Sequence, residues 1–374
     1  MTQGNRIAFI RPKDWPLANR IVETVLREQF PDHPLDVFDV LQLVKKRPDI
    51  LLVNLITTVL LYGPDLIKRK KKIRVAFWRT PYIFNQVKKL IRKKTANGQY
   101  RFSFQMQSLF DCSTPGLPHF LYTDHTHLEN LNYVANQKAN LFAASWIELE
   151  KTIYQNTDVN FVRSSNVQRS MIQDYHCTPE RVKLVYAGSN ASVSSIKTAN
   201  TKYVDPHILF IGFDWKRKGG TDLVEAFKLV LEKHPNAKLT IVGAKPDLEI
   251  PNCEVVGPVK PEELDPYYQR ASIFCLPTHL EPFGIVFIEA MSARLPIVAT
   301  RVGAIPDFVE EGKNGWLVEP GDARGLAEGI MRLIENPNLA REFGEQSYQI
   351  IQERYSWEAV GRRFKEHIQH VLGR

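Results

Sequence analysis

Two glutamates separated by seven residues are the part of this sequence that points most directly to chemistry. Glu281 and Glu289 enclose Gly284 in the run EPFGIVFIE. Carboxylates only accept hydrogen bonds, which suits them to the hydroxyl groups of a sugar or a ribose. A helix beginning near Gly284 would present unpaired N–H groups and a partial positive charge to a diphosphate. The two glutamates could therefore hold both ends of a nucleotide sugar, although either alone could be a helix cap or a solvated side chain.

A second loop concentrates positive charge. The run FIGFDWKRKGGTDLVEAF (210–227) places Gly212, Lys216, Arg217 and Lys218 between an apolar segment and an amphipathic one. A loop with a glycine and three cations suits phosphate groups, and arginine can bind phosphate through two parallel hydrogen bonds. The spacing differs from G-x-G-x-x-G, which argues against a dinucleotide-dependent dehydrogenase.

A third candidate is His125, which directly follows a predicted strand in YTDHTHLENL (122–131). Histidine can titrate or hydrogen-bond near neutral pH. Asp124 could orient it or cap a helix, and His127 is expected to have a supporting role. Because lone histidines are more often structural, the residues alone leave both roles open.

The elements that must position these residues are clearest in the second half of the chain. Apolar runs alternate with amphipathic ones, which predicts βαβ units and a parallel sheet covered by helices on both faces. The predicted strands are HILFIGF (207–213), AKLTIVG (237–243), CEVVGPV (253–259), SIFCLPT (272–278) and PIVAT (296–300). Parallel sheets of this kind bind ligands at the carboxyl ends of their strands. We therefore expect the loops that carry Lys218 and Glu281 to line one crevice.

The first half repeats the pattern less regularly. Its predicted strands are RIAFIR, ILLVNL (50–55), KIRVAFW (72–78), HFLYTDH (119–125), VNFVRSS (159–165) and VKLVYAG (182–188), with a helix over 128–139. We predict an N-terminal domain over 1–190 for the acceptor and a C-terminal domain over 207–355 for the donor. A linker over 191–206 joins them, and a final helix over 356–374 could return to the first domain.

The donor motifs resemble a known family. EPFGIVFIE and its continuation VATRVGAIPDFVEEGKNGWLVEPGD resemble the signature of glycosyltransferase family 4, and the resemblance extends from about Tyr100 to the C terminus. It implies an α/β GT-B fold, in which two Rossmann-like, doubly wound parallel-sheet domains face each other across a cleft. It also implies a retaining enzyme that moves a sugar from a UDP- or GDP-linked donor to an acceptor hydroxyl, without a metal ion or another cofactor.

The resemblance also assigns roles to residues. Glu281 would contact the donor sugar and Glu289 the ribose, and His125 would lie near the reaction centre. The remaining predicted donor contacts are Gly212, Arg217, Lys218 and the backbone of Phe283, Gly284 and Ile285. The family often has an arginine directly after the first glycine of the basic loop, where this chain has Phe213, so Arg217 or Lys216 could supply that charge. The catalytic residues implied are His125, Lys218 and Glu281.

The charge distribution bears on partners. The chain has 374 residues and a net charge of +8, and the segment from Leu66 to Phe110 contains no Asp or Glu. Within it, 83–94 could form a basic amphipathic helix whose apolar stripe is Ile83, Val87, Leu90 and Ile91. We expect the basic stretch 68–94 either to lie on an anionic membrane or to form a solvated face. Nucleic-acid binding is not expected, because no aromatic platform accompanies the charge.

The expected location follows from the cysteines and the apolar segments. Four scattered cysteines without metal-ligand spacing favour free thiols in a reducing compartment. The apolar stretch Leu51–Tyr62 is shorter than a spanning helix, and we expect it to form a buried strand and helix. The N terminus lacks the apolar core of a signal peptide. We therefore expect a cytoplasmic protein, free or on the inner face of a membrane.

Two other functions are compatible with the same residues. One is a GT-B nucleotide-sugar epimerase, which needs no acceptor, and the other is a non-catalytic protein that binds nucleotide sugars. The sequence does not distinguish a lipid, a glycan or a small molecule as the acceptor.

Overall fold

The computed structural model describes residues 4–14, 17–133, 141–188 and 202–373. The chain divides into two compact units. The first comprises Met1–Asn132, Asn136–Tyr186 and Glu358–Arg374, and the second comprises Tyr133–Ala135 and Ala187–Trp357. Of the predicted linker, residues 191–201 lie outside the described part of the chain.

The first unit is built on a parallel sheet of six strands in the order β2-β1-β3-β4-β5-β6. The strands are β1 Arg6–Arg11, β2 Leu35–Asp39, β3 Tyr100–Met106, β4 His119–Thr123, β5 Val159–Val162 and β6 Val182–Leu184. Its helices before residue 187 are α1 Ala18–Gln29, α2 Val40–Lys45, α3 Pro48–Ile67, α4 Ile73–Ala76, α5 Pro81–Thr95, α6 Ala144–Gln155 and α7 Ser165–Gln173. The central strands are mostly apolar and are buried on both faces, as expected for a parallel sheet between helices.

The second unit contains another parallel sheet of six strands, in the order β12-β11-β10-β7-β8-β9. The strands are β7 His207–Gly212, β8 Lys238–Gly243, β9 Cys253–Gly257, β10 Ile273–Leu276, β11 Ile297–Thr300 and β12 Gly315–Val318. The helices are α8 Gly220–Lys233, α9 Asp265–Arg270, α10 Ile285–Ser292, α11 Ile305–Phe308, α12 Ala323–Glu335 and α13 Pro337–Arg354.

The C-terminal helix α14 (Trp357–Leu372) packs on the sheet of the first unit. The Phe364 ring lies 5.1 Å from that of Phe104, 5.0 Å from Tyr122 and 4.9 Å from Phe161, between ring centroids. Aromatic pairs at such distances stabilise a core beyond the area that they bury. This cluster fixes the end of the chain on the first sheet.

Several elements of the first half differ from the prediction. The segments 50–55 and 72–78 are not strands: the first lies inside α3, and the second contains α4. The stretch Leu51–Tyr62, predicted to be buried, is mostly exposed, and α3 is the one helix in the described part of the chain that is long and apolar enough to cross a membrane. The predicted helix 128–139 is a 3₁₀ turn at Leu128–Asn132, and residues 134–140 lie outside the described residues.

The predicted amphipathic helix at 83–94 is present as α5, but its apolar stripe faces inward. The Thr80 hydroxyl caps α5 by accepting from the Ile83 N–H at 3.2 Å. Ile83, Val87 and Ile91 are buried in the core of the first unit. This stripe is therefore not available to contact a membrane, which was one of the two expected roles of the segment, because α5 needs it to pack against the core.

Candidate functional site

The central feature of the second sheet is the place where its strand order reverses. β7 and β10 lie side by side there, with Ile208 opposite Ile273 and Leu209 opposite Phe274. The chain runs outward from β7 to β9 and then returns to β10 on the other side of β7. In open α/β sheets, ligands bind at such a switch point, outside the carboxyl ends of the strands.

The loops that follow these two strands bring Lys218 and Glu281 together. Lys218 Nζ donates a hydrogen bond to Glu281 Oε2, and the two residues are only 8% and 6% exposed. Because both charges are nearly removed from water, each depends on the other for solvation. An anion bound beside Lys218 would compete with the carboxylate and free it to accept from hydroxyl groups.

Backbone contacts join the two loops. A Cβ at Gly219, whose φ is +71°, would lie 1.8 Å from the Pro277 carbonyl oxygen, so the loops approach as closely as glycine allows. Arg217 donates from Nη1 to the Leu280 carbonyl at 2.7 Å, and the His279 N–H donates to the Arg217 carbonyl at 2.8 Å. The Arg217 side chain thus connects the loops. Phe213, at the position where the resembled family often has an arginine, is 71% exposed.

Helix α10 begins beside this pair. Gly284 is its N-cap with φ +95°, and a Cβ there would come within 2.7 Å of Phe287 Cδ2 and 3.2 Å of Glu281 Cγ. Phe283, just before it, is buried with its ring 5.4 Å from that of Phe308, between centroids. Ile285 opens the helix, and its N–H belongs to the first turn, whose donors have no partner within a helix. The segment therefore presents the geometry of an anion-binding helix start.

Glu289 lies in the second turn of the same helix and makes a different contact. Its Oε2 accepts from the Tyr268 hydroxyl at 2.8 Å, and burial raises the pKa of the carboxyl. Lys218 and Glu281 are thus in direct contact, and a Cβ at Gly212 would come within 2.9 Å of Lys218 Cγ, whereas Glu289 is linked to this pair through α10.

Gly303, which was not among the predicted site residues, supports Glu281 from a third loop. Gly303 follows β11 with φ +53°, and a Cβ there would lie 1.9 Å from the Glu281 carbonyl oxygen. The same oxygen accepts from the Ala304 N–H at 3.4 Å. The glycine in the run RVGAIP, directly after a predicted strand, was the available signal for this contact.

A cavity of about 220 Å³ lies in the first unit beyond the end of β4. The cavity is lined by residues that are distant from one another in the sequence: Arg79, residues 107–109, residues 123–127, Trp146 and Glu150. His125 belongs to this lining, and the other predicted site residues belong to the second unit.

The hydrogen bonds around His125 fix its tautomer. Asn130 Nδ2 lies 2.9 Å from His125 Nε2 and donates to the His127 carbonyl at 2.8 Å. An amide nitrogen only donates, so Nε2 accepts and the proton of the neutral ring is assigned to Nδ1. Burial lowers the pKa of His125, which favours the neutral ring. Nδ1 is buried and has no hydrogen-bond partner among the described residues.

The neighbours of His125 have supporting contacts. His127 Nε2 accepts from the Phe142 N–H at 2.9 Å, and burial lowers the pKa of His127 to about 3. Asp124 forms an ion pair with Arg163 at 3.3 Å. These contacts hold the strand end that carries His125.

Three residues that line the cavity, Glu150, Arg79 and Trp146, were not predicted from the sequence to belong to a site. Burial raises the pKa of Glu150 to about 7, and its carboxylate accepts from the hydroxyls of Tyr175 and Tyr154. The Arg79 guanidinium lies 4.7 Å from the Phe142 ring centroid and 5.3 Å from that of Trp146. These three residues are distant from His125 in the sequence, and the tertiary fold brings them together with it.

Three buried nitrogens on these lining residues have no hydrogen-bond partner in the described structure: Arg79 Nε, His125 Nδ1 and Trp146 Nε1. All three carry a hydrogen, given the tautomer of His125. Buried donors cost free energy unless they are paired, so the cavity suits a ligand rich in hydrogen-bond acceptors.

Part of the chain, within the second unit, matches a known family model. Residues 194–350 match the family model described as "Glycosyl transferases group 1". The D-inositol 3-phosphate glycosyltransferase of Corynebacterium jeikeium is 28% identical over 238 residues, which are 56% of this chain and 57% of the relative. The capsular polysaccharide biosynthesis glycosyltransferase CapM of Staphylococcus aureus is 28% identical over 196 residues, covering 48% and 50%. The chain thus spans about half the length of the curated relatives it matches.

The fold is shared over nearly the whole chain. Anabaena Alr3699/HepE, solved in complex with UDP, superposes with a TM-score of 0.64 at 15% identity, covering 98% of this chain and 100% of the other. A likeness at this identity concerns the fold. Together with the two six-stranded parallel sheets, it confirms the predicted GT-B fold class of two Rossmann-like units.

Proposed function

We propose that this chain, whose second unit matches the group 1 glycosyltransferases, transfers a sugar from a UDP- or GDP-linked donor to an acceptor hydroxyl with retention at the anomeric carbon. The observation that carries the proposal is the buried Lys218–Glu281 pair at the switch point, beside the start of α10. The glycosyltransferase names of the curated relatives and the UDP bound to the Anabaena protein support it.

In this proposal the donor diphosphate occupies the start of α10. The N–H groups of Phe283, Gly284 and Ile285 donate to phosphate oxygens, and Lys218 neutralises the charge that grows as the glycosidic bond breaks. Glu281, displaced from Lys218, accepts from the sugar hydroxyls. Glu289 accepts from the ribose and keeps its bond from Tyr268.

The acceptor contacts belong to the cavity of the first unit. His125 is neutral and carries its proton on Nδ1, so it donates a hydrogen bond to a substrate oxygen rather than removing a proton. In front-face transfer, the acceptor oxygen bonds to the anomeric carbon as the bond to the diphosphate breaks. The acceptor proton passes to the departing phosphate oxygen, so no nucleophilic side chain is required. The acceptor is a lipid, a glycan or a small molecule that offers oxygen acceptors to the cavity.

The proposal includes a cytoplasmic location on the inner face of a membrane, and a reaction that needs no metal ion. Within the described residues, no group of three His, Cys, Asp or Glu side chains could hold a metal. Addition of a chelator is expected to leave turnover unchanged, which an activity assay with and without EDTA measures.

The decisive experiment identifies the nucleotide and then removes the ion pair. A thermal-shift screen of UDP, GDP and their sugars is expected to reveal one stabilising nucleotide, because a ligand that binds the folded state raises its melting temperature. Lys218→Ala and Glu281→Ala are each expected to lower kcat/KM for that donor by about a hundredfold or more, as loss of an electrostatic contact does in other active sites. Lys228→Ala, at an exposed lysine of α8, is the matched control.

Product analysis distinguishes the alternatives. Transfer of the sugar to a second molecule supports the proposal, whereas a converted nucleotide sugar without any acceptor would identify an epimerase. Intact donor after incubation with lipid, glycan and small-molecule acceptors would identify a binding protein. Full activity in both alanine variants would refute the assignment of the site.

A further inference from the structure

Helix α3 has an inverted distribution of polarity. Its buried residues, Ile50, Asn54, Thr58 and Tyr62, recur every fourth position on one face, and three of them are polar. The large side chains that it exposes are apolar, and they are Leu52, Val53, Leu55, Ile56, Val59, Leu60, Leu61 and Ile67. A helix on a water-exposed protein surface normally turns its apolar face inward and its polar face outward. The exposed side of α3 therefore suits an apolar environment.

The polar side chains of α3 fix its position on the first unit. Asn54 Nδ2 donates to the Phe77 carbonyl at 2.7 Å, and the Thr80 hydroxyl donates to Asn54 Oδ1. Two turns further on, the Tyr62 hydroxyl donates to the Arg79 carbonyl at 2.6 Å. These bonds hold the helix along the surface of the unit, so the exposed apolar face is a built feature of the fold.

Positive charge flanks both ends of this face. Lys45, Lys46 and Arg47 precede α3, and the exposed cations that follow it are Lys68, Arg69, Lys70, Lys72 and Arg74. Asp65 pairs with Lys71 and Asp49 pairs with Arg47, but no acidic residue occurs between Leu66 and Phe110 to offset the remaining cations. Long basic side chains beside an apolar face are the usual partners of anionic lipid headgroups.

We propose that α3 is a monotopic membrane anchor, whose apolar face enters the boundary between the headgroups and acyl chains of an anionic bilayer. The flanking lysines and arginines then contact the headgroups. The helix lies in the plane of the membrane, because spanning would break the bonds of Asn54 and Tyr62 and leave these polar groups in hydrocarbon. In this proposal the membrane contacts the apolar face of α3 and not the apolar stripe of α5. The basic residues that follow Ile67 are still part of the proposed contact.

An anionic bilayer fits the charges better than a second copy of the chain does. A second copy would bring the same cations to the interface, and like charges across an interface oppose association. Negatively charged headgroups pair with these cations while the acyl chains cover the apolar side chains. The proposal does not depend on the catalytic assignment, since none of the side chains that would contact the membrane belongs to the donor site or to the lining of the cavity.

The test measures co-sedimentation of the full chain with vesicles of phosphatidylcholine alone or mixed with phosphatidylglycerol. The wild type is expected to bind the mixed vesicles. The double variant Ile56→Glu/Leu60→Glu changes side chains that are 54% and 80% exposed, and it is expected to lower binding at least about tenfold by placing charge in the apolar boundary. Val204→Glu, at a 72% exposed apolar residue of the second unit, is the control and is expected to bind like the wild type.

A second variant keeps the apolar face and removes charge. Lys68→Gln/Lys70→Gln/Lys72→Gln is expected to weaken binding to the mixed vesicles about tenfold or more, since basic residues near an anionic surface are attracted to it. Lys228→Gln/Lys233→Gln on α8 is the control for charge. Circular dichroism and the melting temperature confirm that each variant is folded.

Three outcomes would overturn the proposal. The wild type could fail to bind the mixed vesicles, or Ile56→Glu/Leu60→Glu could bind as well as the wild type does. Alternatively, light scattering could show a dimer that the same variant dissociates, without vesicle binding by either protein, which would assign the face to a second copy. Nucleotide binding in the thermal-shift assay is expected to be the same in all these variants, so a failure here is distinguishable from a failure of the catalytic proposal.

Discussion

Gly212 lies beneath the side chain of Lys218, and a methyl group at position 212 would come within 2.9 Å of the lysine Cγ. The close atom belongs to the stem of the lysine and not to its flexible end. The position of the ammonium group beside Glu281 therefore depends on the absence of a side chain at the last residue of β7.

Gly212→Ala is expected to displace the lysine and lower kcat/KM for the donor by at least about tenfold, because small misplacements of a catalytic group are costly. Steady-state kinetics with the nucleotide sugar identified by thermal shift measures the effect. Gly63→Ala is the matched control, since a Cβ at Gly63 meets nothing within 4 Å. Equal kinetics for Gly212→Ala and the wild type would show that Lys218 does not need its present position.

His125 offers a test of its tautomer. Because Nδ1 carries the proton, the amide nitrogen of an asparagine can take its place as a donor. His125→Asn is therefore expected to retain at least about ten times more activity than His125→Ala, a difference typical of one hydrogen bond in an active site. A rate profile across neutral pH provides a second readout. Burial lowers the pKa of His125, so wild-type activity is not expected to fall as the pH drops through the ordinary histidine pKa of about 6.5.

Two results would contradict this assignment. One is equal activity of His125→Asn and His125→Ala. The other is a fall in wild-type activity as the pH drops below about 6.5 that does not occur in His125→Asn. The second result would instead favour a base at His125.

How much of this site the sequence could predict depends on how far apart its parts lie in the chain. HILFIGF and SIFCLPT are mostly apolar, as is typical of strands buried on both faces, and this pattern predicted β7 and β10. It also predicted that the loops carrying Lys218 and Glu281 lie at the same edge of the sheet. The run ILLVNL fits a buried strand equally well, because a short apolar run has no decisive period. Its helical structure is supported by the contacts of Asn54 with Phe77 and Thr80, which are distant in the sequence.

The cavity of the first unit shows the same limit. His125 was predicted because it follows a strand in a compact motif. Arg79 comes from the turn Phe77–Arg79, and Trp146 and Glu150 come from α6, and each alone is an ordinary charged or aromatic residue. Side chains that the tertiary fold alone brings together leave no pattern in a single sequence.

Arg79 is expected to act on the acceptor and not on the donor. Its Nε and Trp146 Nε1 are buried donors without partners in the described structure, on residues that line the cavity. Arg79→Gln is expected to raise the acceptor KM about tenfold or more, because a charged donor contributes about 1.5–3 kcal/mol to a hydrogen bond. The donor KM is expected to stay unchanged, and kinetics with each substrate varied in turn separates the two. Arg181→Gln, at an exposed arginine of the same unit, is the control. If Arg79→Gln raised the donor KM and left the acceptor KM unchanged, the result would show that the cavity does not bind the acceptor.

His119 is expected to make the first unit sensitive to acid. Burial lowers the pKa of His119 to about 4, so below about pH 6.5 the unfolded chain binds a proton at this residue that the folded chain does not. The free energy of unfolding therefore falls as the pH drops from about 6.5 toward 4. Glu150 acts in the opposite sense between its ordinary pKa and about 7, because burial raises its pKa.

A comparison with His119→Asn cancels the contribution of Glu150. The variant is expected to be less stable at neutral pH, since it loses the bonds of the His119 ring to Ser103 and Gln105. From about pH 7 to about pH 5, however, the wild type is expected to lose up to about 2 kcal/mol more than the variant, as one proton per molecule requires. Urea unfolding at the two pH values measures both losses. Parallel losses in the two proteins would mean that His119 is protonated as readily in the folded chain as in the unfolded one.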